Sequence, residues 1–96
     1  MKFHTGVTTV ATAGTQVQVY DVSRRVKFVK FKALVGNSGL TYVGLATVAS
    51  TTGYELSATN ELEINYGELG GSEMANAFWV DSATNGDKVC WMMILD

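Results

Sequence analysis

The chain has 96 residues, 47% apolar and 17% charged, a balance that fits one folded domain and excludes a disordered chain or a second core. A single cysteine, Cys90, excludes an intrachain disulfide, and with one histidine, His4, it is thin material for a metal site; no apolar run approaches the ~20 residues that cross a bilayer as a helix. The net charge of −2 hides a split, because residues 1–48 carry Lys2, Arg24, Arg25, Lys27, Lys30 and Lys32 against Asp21, whereas residues 49–96 carry Lys88 against eight acids.

In chain order, Met1 to Gly6 has no apolar stretch of the signal-peptide kind, which leads us to expect synthesis and folding in a cytoplasm. Val7 to Gly14 is small, Thr-rich and weakly patterned, so residues 1–14 read as an N-terminal arm or an edge strand, and residues 15–96 as a single β domain. Thr15 to Tyr20 alternates with period two. Arg25 to Val35 also alternates, but Val26 and Phe28 share one parity while Val29, Phe31, Ala33 and Val35 share the other. One inserted residue produces such a slip, so the sequence predicts a β-bulge near Phe28 and Val29.

Gly36 to Gly39 is a turn by composition. Leu40 to Val48 reads as a strand with a weak point or bulge at Gly44, Ala49 to Gly53 as a loop, and Tyr54 to Leu56 as a short extended piece. After a turn at Ser57 to Asn60, Glu61 to Tyr66 alternates with Leu62, Ile64 and Tyr66 inward. Gly67 to Ser72 is a loop, Glu73 to Ala77 a helical turn, and Phe78 to Asp81 a strand. Asn85-Gly86 is a strong hairpin signal. Lys88 to Leu95 is apolar on both faces, which predicts burial on two sides, within the fold or in a subunit interface. Short strands at this spacing predict an all-β fold, a small antiparallel β-sandwich or jelly-roll-like barrel.

No catalytic signature emerges. His4 lacks a sequence neighbour to act with, Cys90 sits in an apolar strand, and Glu61 and Glu63 are two exposed acids on one strand face. A small hydrolase using Glu61, Glu63 or His4 is the weakest reading. Asp81 to Asp87 lacks the spacing of a calcium loop, and the glycine-rich turns match no phosphate-binding motif. Neither a metal nor another cofactor is expected. The basic strip from Arg24 to Lys32 lies in an acidic protein, which argues against nucleic acid. It fits an acidic neighbour better, either Glu61 and Glu63 of its own sheet or another protein. Tyr42, Tyr54, Trp79 and Asp81 are a candidate shallow carbohydrate or host-receptor site.

One resemblance covers nearly the whole chain. Val7-Thr8-Thr9, Gly14 to Gln18, the basic strand, Gly36 to Gly39, Tyr42-Val43-Gly44, Gly53 to Leu56, Glu61 to Ile64 and Val80 to Val89 resemble, in that order, small virion-associated proteins of tailed bacteriophages. Ser57 to Asn60 departs from the pattern, which usually holds Pro-Gly at that turn. The resemblance implies a virion structural protein, specifically a capsid decoration (cement) protein on the capsid surface. Its implied partners are the phage major capsid protein and further copies of itself, as a trimer, with no nucleic acid and no membrane. A tail-associated or head-fibre binding module with a shallow carbohydrate or host-receptor site is the alternative. For the subunit interface the sequence offers Trp91, Met92, Met93, Ile94 and Leu95. For contact with the capsid or a neighbouring subunit it offers Thr5, Val7, Thr8, Thr9, Val10, Arg24, Arg25, Lys27, Lys30 and Lys32.

Overall fold

The computed structural model describes residues 2–96, and within them the alternating segments become nine strands in two antiparallel sheets. The larger sheet contains β1 (Lys2–Thr9), β9 (Lys88–Leu95), β3 (Arg25–Ala33) and β6 (Glu61–Asn65) in that spatial order, with β7 (Glu73–Met74) also on β3. The smaller sheet is ordered β2 (Val17–Gln18), β8 (Trp79–Ser82), β4 (Thr41–Gly44) and β5 (Tyr54–Leu56). Both sheets are apolar on the faces they turn to each other. Val26, Val29, Phe31, Ala33, Val89, Trp91, Met93 and Leu95 of the larger meet Val43, Leu56, Phe78 and Val80 of the smaller or its flank. The fold is a small β-sandwich.

The phase slip in β3 is a bulge. Val26 pairs with Leu95 but Phe28 pairs with Ile94, so Lys27 is the extra residue, one position earlier than the sequence placed it. The bulge lets Val26 and Val29 both reach full burial across an even-to-odd change of parity. β9 lies between β1 and β3, so its inward residues Val89, Trp91, Met93 and Leu95 fill the core. This corrects the subunit-interface assignment. Trp91, Met93 and Leu95 are occupied inside one chain, and Met92 and Ile94 alone keep an outward side. Trp91 needs room beneath β1, which Gly6 supplies, since a Cβ there would lie 2.5 Å from Cζ2 of the indole.

Several elements differ from the sequence reading. β4 stops at Gly44, because residues 45–53 fold back as a loop that seats Val48 against Gly44 and Gly53. β2 is shorter than the alternation suggested, although Val19 N–H continues its pairing by donating to Phe78 O at 3.0 Å. Within the expected loop 67–72 the chain instead begins with the short helix α1 (Tyr66–Leu69), capped by Asn65, whose Oδ1 accepts from Glu68 N–H at 3.2 Å. The expected helical turn at 73–77 divides into β7 and a 3-10 turn over Ala75–Ala77.

Side chains of the Asp81–Asp87 loop tie the ends of the sandwich together. Asp87 accepts the backbone N–H groups of Ser38 (3.0 Å) and Gly39 (2.9 Å). Asp81 accepts those of Gly14 (3.0 Å) and Ser82 (2.7 Å), and Asn85 accepts that of Ala13 (2.7 Å). The turn itself rests on Gly86, at φ 85°, where a side chain is disfavoured.

Candidate interaction face

The outer face of the larger sheet is the feature that a fold of this size does not need for its own core. Strand register arranges its side chains in rows. Phe3, Ile94, Phe28 and Asn65 form one; Thr5, Met92, Lys30 and Glu63 the next; Val7, Cys90, Lys32 and Glu61 a third. The second and third rows end in a lysine on β3 and a glutamate on β6, whereas the first stays apolar through Phe28 and ends at Asn65. Phe3 is 62% and Val7 57% exposed, while Cys90, Met92, Ile94 and Phe28 are half-buried among their neighbours. A groove of about 480 Å³ crosses this face, spanned in strand order by Thr5 and Val7, Cys90 and Met92, Lys30 and Lys32, and Glu61.

The charged half is paired within the chain. Lys30 Nζ lies 3.0 Å from Glu61 Oε1. The hydrogen bond to Glu61, reinforced by that carboxylate's charge, raises the Lys30 ammonium above the ordinary lysine value of 10.5. Lys32 stands opposite Glu61 and Lys30 opposite Glu63 in the ladder. The rest of the strip is engaged too: Lys27 lies 3.8 Å from Asp96, Arg24 donates to the Asp96 carbonyl at 2.6 Å, and Arg25 to Ser72 Oγ at 3.0 Å. Of the two acidic neighbours the sequence offered, the fold supplies the strip's own sheet.

Candidate contacts at the N-terminal end divide by parity. Thr5, Val7 and Thr9 are exposed, whereas Thr8 and Val10 are buried. Thr8 Oγ1 accepts from Trp91 Nε1 at 3.2 Å, and Val10 is a core residue, which removes both from the contact set. Residues 2–9 are an edge strand laid on β9.

Other constellations do not come together. His4 turns inward, with Nδ1 3.1 Å from Tyr20 Oη, whereas Glu61 and Glu63 lie on the outer face of β6, beyond β9 and β3. Tyr42 and Asp81 are buried, and Tyr54, opposite core-facing Val43, has the reverse parity to Tyr42. Trp79 shares the outer face of the smaller sheet with Tyr42 and Asp81, but with those two buried and Tyr54 on the other face, Trp79 alone of the four keeps partial exposure there. No group of three metal-ligating side chains occurs among the described residues. The apolar stripe itself escaped the sequence reading, because it is drawn from three strands. Its signal was the second apolar parity of β9, Cys90, Met92 and Ile94.

No family model matches the chain, and no curated protein matches it. Among solved structures it is similar to IMPa from Pseudomonas aeruginosa in complex with an O-glycopeptide, with TM-score 0.57 and 13% identity. It is also similar to the IMPa metallopeptidase in complex with T-antigen, with TM-score 0.56 and 13% identity. Each match covers 98% of this chain and 12% of the other. At that identity the likeness concerns the fold, a β-sandwich occupying a small part of a much longer chain.

Proposed function

We propose that this chain is a structural protein of a phage virion, a non-enzymatic capsid decoration protein that attaches to the major capsid protein through the outer face of its larger sheet. One observation carries the reading. The face sets an apolar stripe, exposed at Phe3 and Val7 on β1 and half-buried on β9, beside a Lys/Glu ladder on β3 and β6. Apolar contact supplies affinity when such a face is covered, and the ladder supplies orientation. The resemblance of Val80 to Val89 and the preceding turns to small virion proteins supports the same reading. A decoration protein works mechanically, by bridging joints between shell subunits at capsomer junctions. A stiff sandwich whose loops are tied by Asp81, Asn85 and Asp87 suits that work. The trimer implied by the resemblance can draw on Met92 and Ile94, but not on the buried half of β9. A receptor-binding role at the tail has weaker support, since Tyr42 and Asp81 are buried and Tyr54 lies on the face opposite Tyr42 and Trp79.

Copy number in purified virions tests the proposal. A count comparable to that of the major capsid protein is expected. A few copies per particle, or none, overturns it.

A further inference from the structure

β1 is a long strand edge without the usual protection. β2 and β7 have two residues each and β5 three, and β6 presents Glu61 and Glu63. β1 has eight residues in unbroken register with β9, no proline, no bulge, and one lysine, Lys2, at its end. Exposed edges of this kind are templates for another strand.

Backbone parity shows what the edge offers. Val10 N–H donates to Asp87 O at 2.9 Å, in line with the β1–β9 register. Alternation assigns the β9-facing bonds of β1 to Thr8, Gly6, His4 and Lys2. The N–H and C=O groups of Phe3, Thr5 and Val7 therefore point to the free edge. The same three residues place their side chains on the outer face, and two of them are its most exposed apolar groups.

We propose that this edge pairs with β1 of a second copy, antiparallel, about a two-fold axis at Thr5. Thr5 then faces Thr5 of the second copy, Phe3 faces Val7, Val7 faces Phe3, and Lys2 faces Thr8. Every outward backbone group of these three residues finds a partner, and no two like charges stand opposite. Both exposed apolar side chains become cross-strand pairs, and the two larger sheets continue as one. Sliding the register by two residues sets His4 against His4 in one direction, or Phe3 against Thr9 in the other. Sliding it by one residue sets outward groups against groups already bonded to β9. A contact of one strand pair falls below the ~1,200 Å² of standard interfaces, so the dimer is concentration-dependent. This inference does not rest on the virion reading.

Sedimentation equilibrium from micromolar to millimolar protein should show the mass rising from 10.3 kDa toward twice that value. Thr5→Pro removes an N–H that β9 does not use, so the strand persists and the variant stays monomeric throughout, with unchanged circular dichroism. In a Cys90→Ala background, Thr5→Cys places two thiols on the axis. Opposite hydrogen-bonded residues have Cα atoms about 5.5 Å apart, within disulfide reach. Mild oxidation should link this variant as a dimer, and leave a Leu69→Cys control on exposed α1 unlinked. A wild-type monomer at millimolar concentration overturns the proposal. So does a dimer that survives in folded Thr5→Pro. If Thr5→Pro does not fold, the cross-link decides, and failure of Thr5→Cys to link overturns the proposed register and axis.

Discussion

At the residue scale, the side chains that look most like chemistry are spent on the backbone. Asp87 is 5% exposed, and its two oxygens accept from Ser38 and Gly39. Removing it leaves both N–H groups without a protein partner in a half-buried turn, at a cost of about 1–3 kcal/mol. We expect Asp87→Ala to lower the unfolding free energy measured in urea by that amount and to speed hydrogen exchange at the Ser38 and Gly39 amides. Unchanged exchange at those two amides would contradict the assigned bonds. The loop was legible in the sequence from Asn85-Gly86, but the role of its acid was not. The partners of Asp87 lie 49 and 48 residues away, and local composition carries no trace of them. For the same reason Trp91 read as one face of an ambiguous strand. Gly6 across the sheet and the Thr8 hydroxyl fix it as core.

At the element scale, β3 was the most legible strand because its irregularity shows in its own sequence. Parity changes between Val26 and Val29, and the fold answers with an extra residue at Lys27. Deleting Lys27 would force either Val26 or the set Val29, Phe31 and Ala33 out of the core. Burial of several apolar side chains is at stake, against a total stability of roughly 5–15 kcal/mol for a chain of this length. The deletion variant is therefore expected to be unfolded by circular dichroism. Lys27→Ala should stay within about 1 kcal/mol of wild type, because it removes only an exposed contact with Asp96. Equal stabilities for the two variants would remove the bulge from the account. β4 was less legible, since Leu40 to Val48 carries strand-like composition throughout. Its end depends on the return of Val48 onto Gly44, a tertiary event.

The pair β3–β6 also sets an alkaline limit. Lys30 is held above 10.5 by Glu61, so its contribution is complete below that value and is lost as pH rises through the folded-state value. Tyr66 is raised above 10.0, first by burial and then by Glu73, so its neutral form is favoured in the fold and the loss runs in the same direction. Urea unfolding should show stability falling with pH above about 10, more shallowly for Glu61→Gln and for Tyr66→Phe than for wild type. Parallel pH profiles for all three would sink the assignment.

At the scale of the whole molecule, part of the charge split between the two halves of the sequence is met within the chain, along β3. Lys30 and Lys32 face Glu63 and Glu61 across the β3–β6 ladder. Reversing the lysines alone therefore cannot test docking, because it sets like charges opposite one another and weakens the fold at the same time. Exchanging both sides does separate the two. A variant with Lys30→Glu, Lys32→Glu, Glu61→Lys and Glu63→Lys keeps each pair complementary but inverts the sign along the face. Each cross-strand pair keeps opposite charges facing one another, so the exchanged protein should unfold at a urea midpoint close to that of wild type. If the ladder orients the molecule on a shell, this folded variant should fail to co-sediment with particles stripped of the wild-type protein. A second variant, Met92→Asp with Ile94→Asp, should fail as well, through loss of the apolar stripe. Attachment by the exchanged variant with wild-type affinity would confine the charges to a role in folding, and leave Phe3, Val7, Met92 and Ile94 to carry the contact alone.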